Sequence, residues 1–189
     1  MSKLLVAGID DGGFKPDYKF RRKKPSIPLL AVYCKGFKIW DIRIRDIQID
    51  GLDGTAKLIS MLEEKKPFVI FSAGITVGGF NLIDFFYIFE KTKIPSIIVL
   101  DHKPNMDSIK KALFKHFEDA EERWAIVSKY PKFKKHQSFY YESIGMDSKH
   151  ALELILSFRI FSKYPEPLRL AHLIAKAIYK LSLEEESFS

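Results

Sequence analysis

The chain carries one cysteine in 189 residues, Cys34. That excludes an internal disulfide and a zinc site built on cysteines, and its place in an apolar, strand-like run makes it a buried thiol rather than a nucleophile. No run approaches the roughly eighteen apolar residues of a membrane-spanning helix. The opening MSKLLVAGIDDGG meets acids too soon for a secretory signal. Internal repeats and low-complexity segments are also missing; only KLSLEEESFS has the composition of a loose tail, expected over 182–189. The stretch GITVGGF lacks the Lys-Ser/Thr of a nucleotide phosphate loop, which leaves a packing turn in which Gly78 and Gly79 let backbone come close to something. These absences point to one soluble, cytoplasmic domain over 1–189, with no membrane partner.

What is present is ample for a core, since 47% of the residues are hydrophobic. KLLVAGID reads as a strand, and PLLAVYCKGFKIWDIRIRDIQID as two more strands joined in a hairpin through Lys35-Gly36. Within the third strand Ile42 and Ile44 point one way and Ile47 and Ile49 the other, a slip around Arg45 and Asp46 that predicts a bulge or a strong twist. DGTAKLISMLEEKK is a helix with Asp53 at its N-cap and lysines at the end where the helix dipole favours cations. FVIFS and IPSIIVL are strands without alternation, as in a parallel sheet covered on both faces, and FNLIDFFYIFEK is an apolar helix between them. Two further helices, a strand at SFYYESI, and helices from Asp147 and Pro165 complete the order. The class is α/β: a ribonuclease H-like mixed sheet with three opening antiparallel strands, then alternating helices and strands, with helices on both faces. An opening hairpin argues against a Rossmann domain.

The formal charge of +7 has the sign that a polyphosphate partner favours. In FKPDYKFRRKKP, residues 14 to 25, Lys15, Lys19, Arg21, Arg22, Lys23 and Lys24 interleave with Phe14, Tyr18 and Phe20. Cations of this kind hold phosphates while rings stack on bases, although a charge run also reads as a solvated surface loop. KYPKFKKHQ at 129 to 137 repeats the recipe. DNA or RNA is the expected partner.

Nucleases of this topology gather carboxylates at the ends of adjacent strands around divalent metal. Asp10 and Asp11 end the first strand, Asp50 and Asp53 lie where the third becomes helix, and Asp101 ends the fifth. Asp10, directly after a buried strand, is the leading candidate; Asp53 reads equally as a helix cap and Asp11 as a turn residue. His172 is expected to be a satisfied or surface histidine rather than a ligand, and His102, between Asp101 and Lys103, is the more suggestive one.

The blocks GIDDGGF, IDGLDGT, GITVGGFN, IPSIIVL followed by HKP, HFEDAEERW, IGMDSKHALEL and PEPLRLAHLIAKA together resemble an archaeal family related to endonuclease V, the deoxyuridine endonuclease family. The resemblance covers nearly the whole chain. It implies a ribonuclease H-like fold and a magnesium- or manganese-dependent nuclease, with a role in DNA repair, cutting a phosphodiester bond near a deaminated base. It makes Asp10 the first metal ligand and Asp53 or Asp50 the second acid. Family members typically read Leu-Asp-Gly-Ile-Thr where this chain reads SAGIT, so Ala73 stands in the place of the third acid. Asp101 stands where relatives have a basic residue, as a catalytic replacement candidate, with His102 and Lys103 beside it on the nucleic acid. No counterpart of the Pro-Tyr-Ile-Pro wedge of endonuclease V is present. Three readings follow: an endonuclease whose site is degraded at Ala73 or completed by Asp101, a catalytically inactive nucleic-acid-binding module, or a structural or interaction protein with no nucleic-acid role.

Overall fold

The computed structural model describes residues 4–12, 26–130 and 132–187, with side chains as far as residue 181. The basic segment from Phe14 to Lys24 lies outside the described residues. Three strands open the chain, β1 (Leu5–Asp10), β2 (Ser26–Lys35) and β3 (Lys38–Gln48), and pair antiparallel in succession as expected. Helix α1 (Gly54–Glu64) leads to β4 (Ile70–Ser72), a small hairpin of β5 (Thr76–Val77) and β6 (Asn81–Leu82), α2 (Phe85–Thr92) and β7 (Ser96–Leu100). Helices α3 (Met106–His116) and α4 (Ala120–Val127) follow, then β8 (Lys134–His136), β9 (Phe139–Ile144), α5 (Ser148–Ser157) and α6 (Glu166–Ser187).

The main sheet has the order β3-β2-β1-β4-β7-β9-β8, with β1, β4 and β7 parallel at its centre. These central strands read as continuous apolar runs because both of their faces are covered. On one face Leu58, Met61 and Leu62 of α1 and Phe85 and Ile88 of α2 pack with Ala7, Ile9 and Ile70. On the other, Ala151 and Ile155 of α5 and Leu168, Ala171 and Ala175 of α6 pack with Val6, Phe71 and Val99.

Three details depart from the sequence reading. The register irregularity between β2 and β3 lies at Tyr33/Cys34, opposite Trp40, and the alternation of β3 is unbroken from Asp41 to Gln48. Ile47 is buried while Ile42 and Ile44 stay 37% and 42% exposed, so the apparent slip is an apolar stripe on the face that no core covers. The helix expected from Phe80 starts only at Phe85, because Asn81 and Leu82 pair with Thr76 and Val77. The backbone of α6 continues through the expected tail as far as Ser187.

Helix α6 lies directly on β1. A Cβ on Gly8 would come within 2.1 Å of the Pro167 carbonyl oxygen, and one on Gly12 within 2.3 Å of the Lys176 nitrogen. Both obstacles are backbone and cannot swing away. We predict that Gly8→Ala costs about 3 kcal/mol in urea unfolding, the upper range for overpacking. Gly74→Ala, whose new methyl meets nothing nearer than 3.8 Å, should be close to neutral. Equal losses in the two variants would mean that the helix adjusts freely.

Candidate active site

Gly8 and Gly12 let α6 approach until His172 stands over the end of β1. His172 Nδ1 lies 3.0 Å from Asp10 Oδ1, and the Gly12 N–H donates to the same oxygen at 2.6 Å. The Asp10 side chain is 8% exposed and that of His172 46%. Burial raises the Asp10 carboxyl above its ordinary value, and the nearby Asp11 charge adds to that; the Gly12 bond and His172 act the other way.

The pair forms part of the wall of an open cavity of about 350 Å³, lined also by Ser72, Ala73, Thr76, Tyr164 and Arg169. The cavity sits at the carboxyl ends of the parallel strands, where α/β sheets place their ligands. Ile9 is level with Ser72, so Asp10 and Ala73, the next residue of each strand, stand side by side. Ala73 is exposed and lines the cavity, so a side chain at this position is open to it. Arg169 is held by both oxygens of the buried Glu166, at 2.8 and 2.6 Å, which fixes its guanidinium at the cavity wall.

Of the other acids singled out from the sequence, Asp11 lines this cavity beside Asp10, whereas Asp50, Asp53 and Asp101 do not. Asp53 occupies the N-cap position of α1 but makes no side-chain cap bond there; its Oδ1 accepts from Asn81 Nδ2 at 2.6 Å and from the Gln48 N–H at 3.2 Å. Asp50, at φ 56°, accepts from the Phe80 N–H at 2.9 Å. Both carboxylates tie the β5-β6 hairpin to the turn after β3. The buried Arg123 of α4 completes that tie by donating to the carbonyls of Asp50, Gly51 and Phe80. Asp11 holds the hairpin's tip by accepting from the Gly78 N–H. The close backbone approach expected of the glycine turn is therefore made to Asp11 on the cavity wall and to Asp50 behind it.

Asp101 comes two residues after Val99, whose level on β7 is that of Ala73, and its side chain turns away to α6's approach loop. There it bonds Lys163 Nζ at 2.8 Å and accepts from the Tyr164 hydroxyl. Asp101 thus acts on the cavity through Tyr164, which lines it. His102 and Lys103 are exposed on the same turn. In the second basic cluster Lys129 is ion-paired with Asp84, while Lys134 and Lys135 are exposed on the edge strand β8. Among the described residues no three of His, Cys, Asp and Glu are grouped to hold a metal ion, so Asp10, Asp50, Asp53 and Asp101 do not converge on one point. None of the helices is long and apolar enough to cross a membrane, again among the described residues.

The sequence reading expected His172 to be a satisfied or surface histidine, and it passed over Tyr164 and Arg169; His172 is half-exposed and satisfied by Asp10. One signal was available: Glu166, Arg169, His172 and Lys176 recur at three and four residues along an otherwise apolar helix, which places them on one face.

The Asp101 latch gives a pH dependence of definite sign. Burial alone would raise its carboxyl, but the Lys163 and Tyr164 bonds outweigh burial and hold it below its ordinary value. A lowered folded pKa contributes stability above the unfolded value that is lost as pH falls through the folded one. With the side chain 38% exposed, screening keeps the contribution below about 1 kcal/mol. Asp101→Asn should therefore melt slightly lower at neutral pH, with the gap to the natural chain narrowing as pH falls below the ordinary carboxylate range. A gap that widens in acid would contradict the latch.

The family model for endonuclease dU matches residues 2–179. A UPF0215 protein of Methanocaldococcus jannaschii is 38% identical over 183 residues, covering 95% of this chain and 96% of the relative. Among solved structures, a protein of unknown function from Archaeoglobus fulgidus superposes with a TM-score of 0.81 at 30% identity, covering 94% of this chain and 98% of that one. Ciona intestinalis endonuclease V, solved with a DNA containing an inosine followed by a ribo-adenosine, superposes with a TM-score of 0.60 at 10% identity over 94% and 86% of the two chains. The last likeness shows the ribonuclease H-like fold that the strand order implied. With nearly its whole length matched and archaeal relatives of the same length, the chain belongs to the endonuclease dU family.

Proposed function

We propose that the cavity around Asp10 and His172 is a phosphodiester-hydrolysis site acting on DNA or RNA next to a deaminated base. The observation that carries this is the Asp10–His172 pair itself. Residues 162 positions apart meet at the strand ends of a nuclease fold, in a cavity open to a polymer. The buried Asp10 carboxylate and the half-exposed His172 present an acceptor and a ring nitrogen to whatever enters. Arg169 supplies a cation on the same wall, suited to orienting phosphate oxygens.

Magnesium keeps several waters and takes only one or two protein carboxylates beside substrate phosphates. Asp10, with Asp11 next to it on the cavity wall, fits such a protein-poor shell, with manganese as the substitute ion. When bound, the ion would neutralise phosphate charge and lower the pKa of water. The exposed His102 and Lys103 and the segment from Phe14 to Lys24 would follow the strand's backbone.

Ala73 favours a second reading, a binding module that has lost its chemistry, because it removes a carboxylate beside Asp10. Incubation with uracil- and inosine-containing oligonucleotides and magnesium or manganese decides between them. A nuclease should cut, and Asp10→Asn and His172→Ala should each lower the rate about a hundredfold or more, as loss of a group that stabilises the transition state does. In a decayed site only Ala73→Asp should gain cutting. Binding without cutting in both chains supports the module.

Binding itself is tested by salt. Replacing Arg21, Arg22, Lys23 and Lys24 with Ala should flatten the log–log salt dependence of oligonucleotide affinity by about 0.7 to 0.9 for each phosphate no longer neutralised. An unchanged slope would return the segment to ordinary surface.

A further inference from the structure

Strand β3 is eleven residues long and forms one edge of the main sheet. Among the described residues no strand pairs with its outer side. Its side chains divide cleanly by face. Asp41, Arg43 and Arg45 point towards α1, where Arg43 and Arg45 both bind Glu64 and Lys65 binds Asp41. Ile42 and Ile44 lie on the opposite face beside Val32 and Leu30 of β2, and α6 packs over β1 and β2. Ile39, Trp40, Ile42 and Ile44 are left 45%, 58%, 37% and 42% exposed. A long edge strand with an apolar stripe is a template for pairing with another strand.

The backbone shows which groups are available. The Ile42 N–H donates to the Asp41 carboxylate at 2.9 Å, and the Ile44 carbonyl accepts from Arg45 Nη1 at 2.9 Å. The outward-facing groups of these two residues are thus met by side chains of the strand itself rather than by a ladder. In an antiparallel strand a residue's N–H and C=O face the same side, so Ile42 and Ile44 are outward residues and Arg43 an inward one.

We infer that β3 pairs antiparallel with β3 of a second copy of this chain, about a two-fold axis at Arg43. In that register Ile42 faces Ile44 of the other copy as a hydrogen-bonded pair, which uses the outward groups just described. Asp41 faces Arg45, opposite in charge, and does so twice by symmetry. The four isoleucines form one apolar patch across the joint, and the two sheets become continuous. Moving the axis to Ile44 sets Arg43 against Arg45 and loses the match. Arg43 faces its own copy at the axis, a like-charge contact tempered by Glu64, which already binds it.

The full chain is tested by sedimentation over the micromolar range. A concentration-dependent dimer is expected, weakened about tenfold or more by Asp41→Arg or by Arg45→Asp alone and restored by the two together, since the double exchange recreates both pairs. Arg43→Cys should give a disulfide-linked dimer on oxidation, because directly opposed residues of a non-hydrogen-bonded pair lie within disulfide reach. Circular dichroism should show every variant folded. A folded monomer at all concentrations overturns the proposal, including one whose β3 amides exchange slowly because the chain covers its own edge. So does a dimer indifferent to the charge reversals, or one without the cross-link. None of these results depends on nuclease activity.

Discussion

The contact on which the site depends is a backbone one, α6 resting on β1 where Gly8 and Gly12 have no side chain. With Cβ positions that would fall at 2.1 and 2.3 Å from helix backbone, no other residue permits the same approach. Interiors are close-packed and transmit such displacements instead of absorbing them. An outward shift of the helix by about the thickness of a methyl group would separate Asp10 from His172, because neither side chain is long enough to follow. Side-chain chemistry in the cavity is thus subordinate to two glycines that carry none.

A second layer of constraint braces the cavity. Asp11, Asp50 and Asp53 all bond the β5-β6 hairpin, and Arg123 brings α4 onto the same turn. The hairpin's Thr76 and Val77 line the cavity. A buried guanidinium with its donors directed at carbonyls and the Asp119 carboxylate is well satisfied and hard to move, whereas the loss of one partner would leave charge stranded. Asp11, Asp50 and Asp53, acids at strand ends like Asp10, therefore hold one wall of the site in place.

How far the sequence could be read follows from which physical signal each feature carries. The order of strands and helices was legible because continuous apolar runs, a Lys-Gly hairpin and capped helices are local patterns. Asp10 stood out because an acid after a buried strand has a cost that calls for a reason. His172 did not, since its meaning depends on a helix landing 162 residues away from Asp10 in sequence. Asp53 and Asp101 were ambiguous for a related reason: an acid at a strand end can face the cavity or a neighbouring loop, and only the tertiary partners decide. Ile42 and Ile44 were misread as a phase slip because alternation alone does not tell which face of an edge strand is covered.

Ala73 changes what the scaffold requires of its surroundings. Sheet neighbours lie about 5 Å apart, so an aspartate there would set a second carboxylate beside one that burial already makes costly to ionise. Like charges at that spacing disfavour each other's ionised form unless a cation intervenes. With alanine, Asp10 has only Asp11 as an acidic neighbour on the cavity wall, and the Gly12 N–H and His172 act in its favour. Because Ala73 is exposed, an aspartate there would change the electrostatic demand placed on the cavity rather than the packing beneath it.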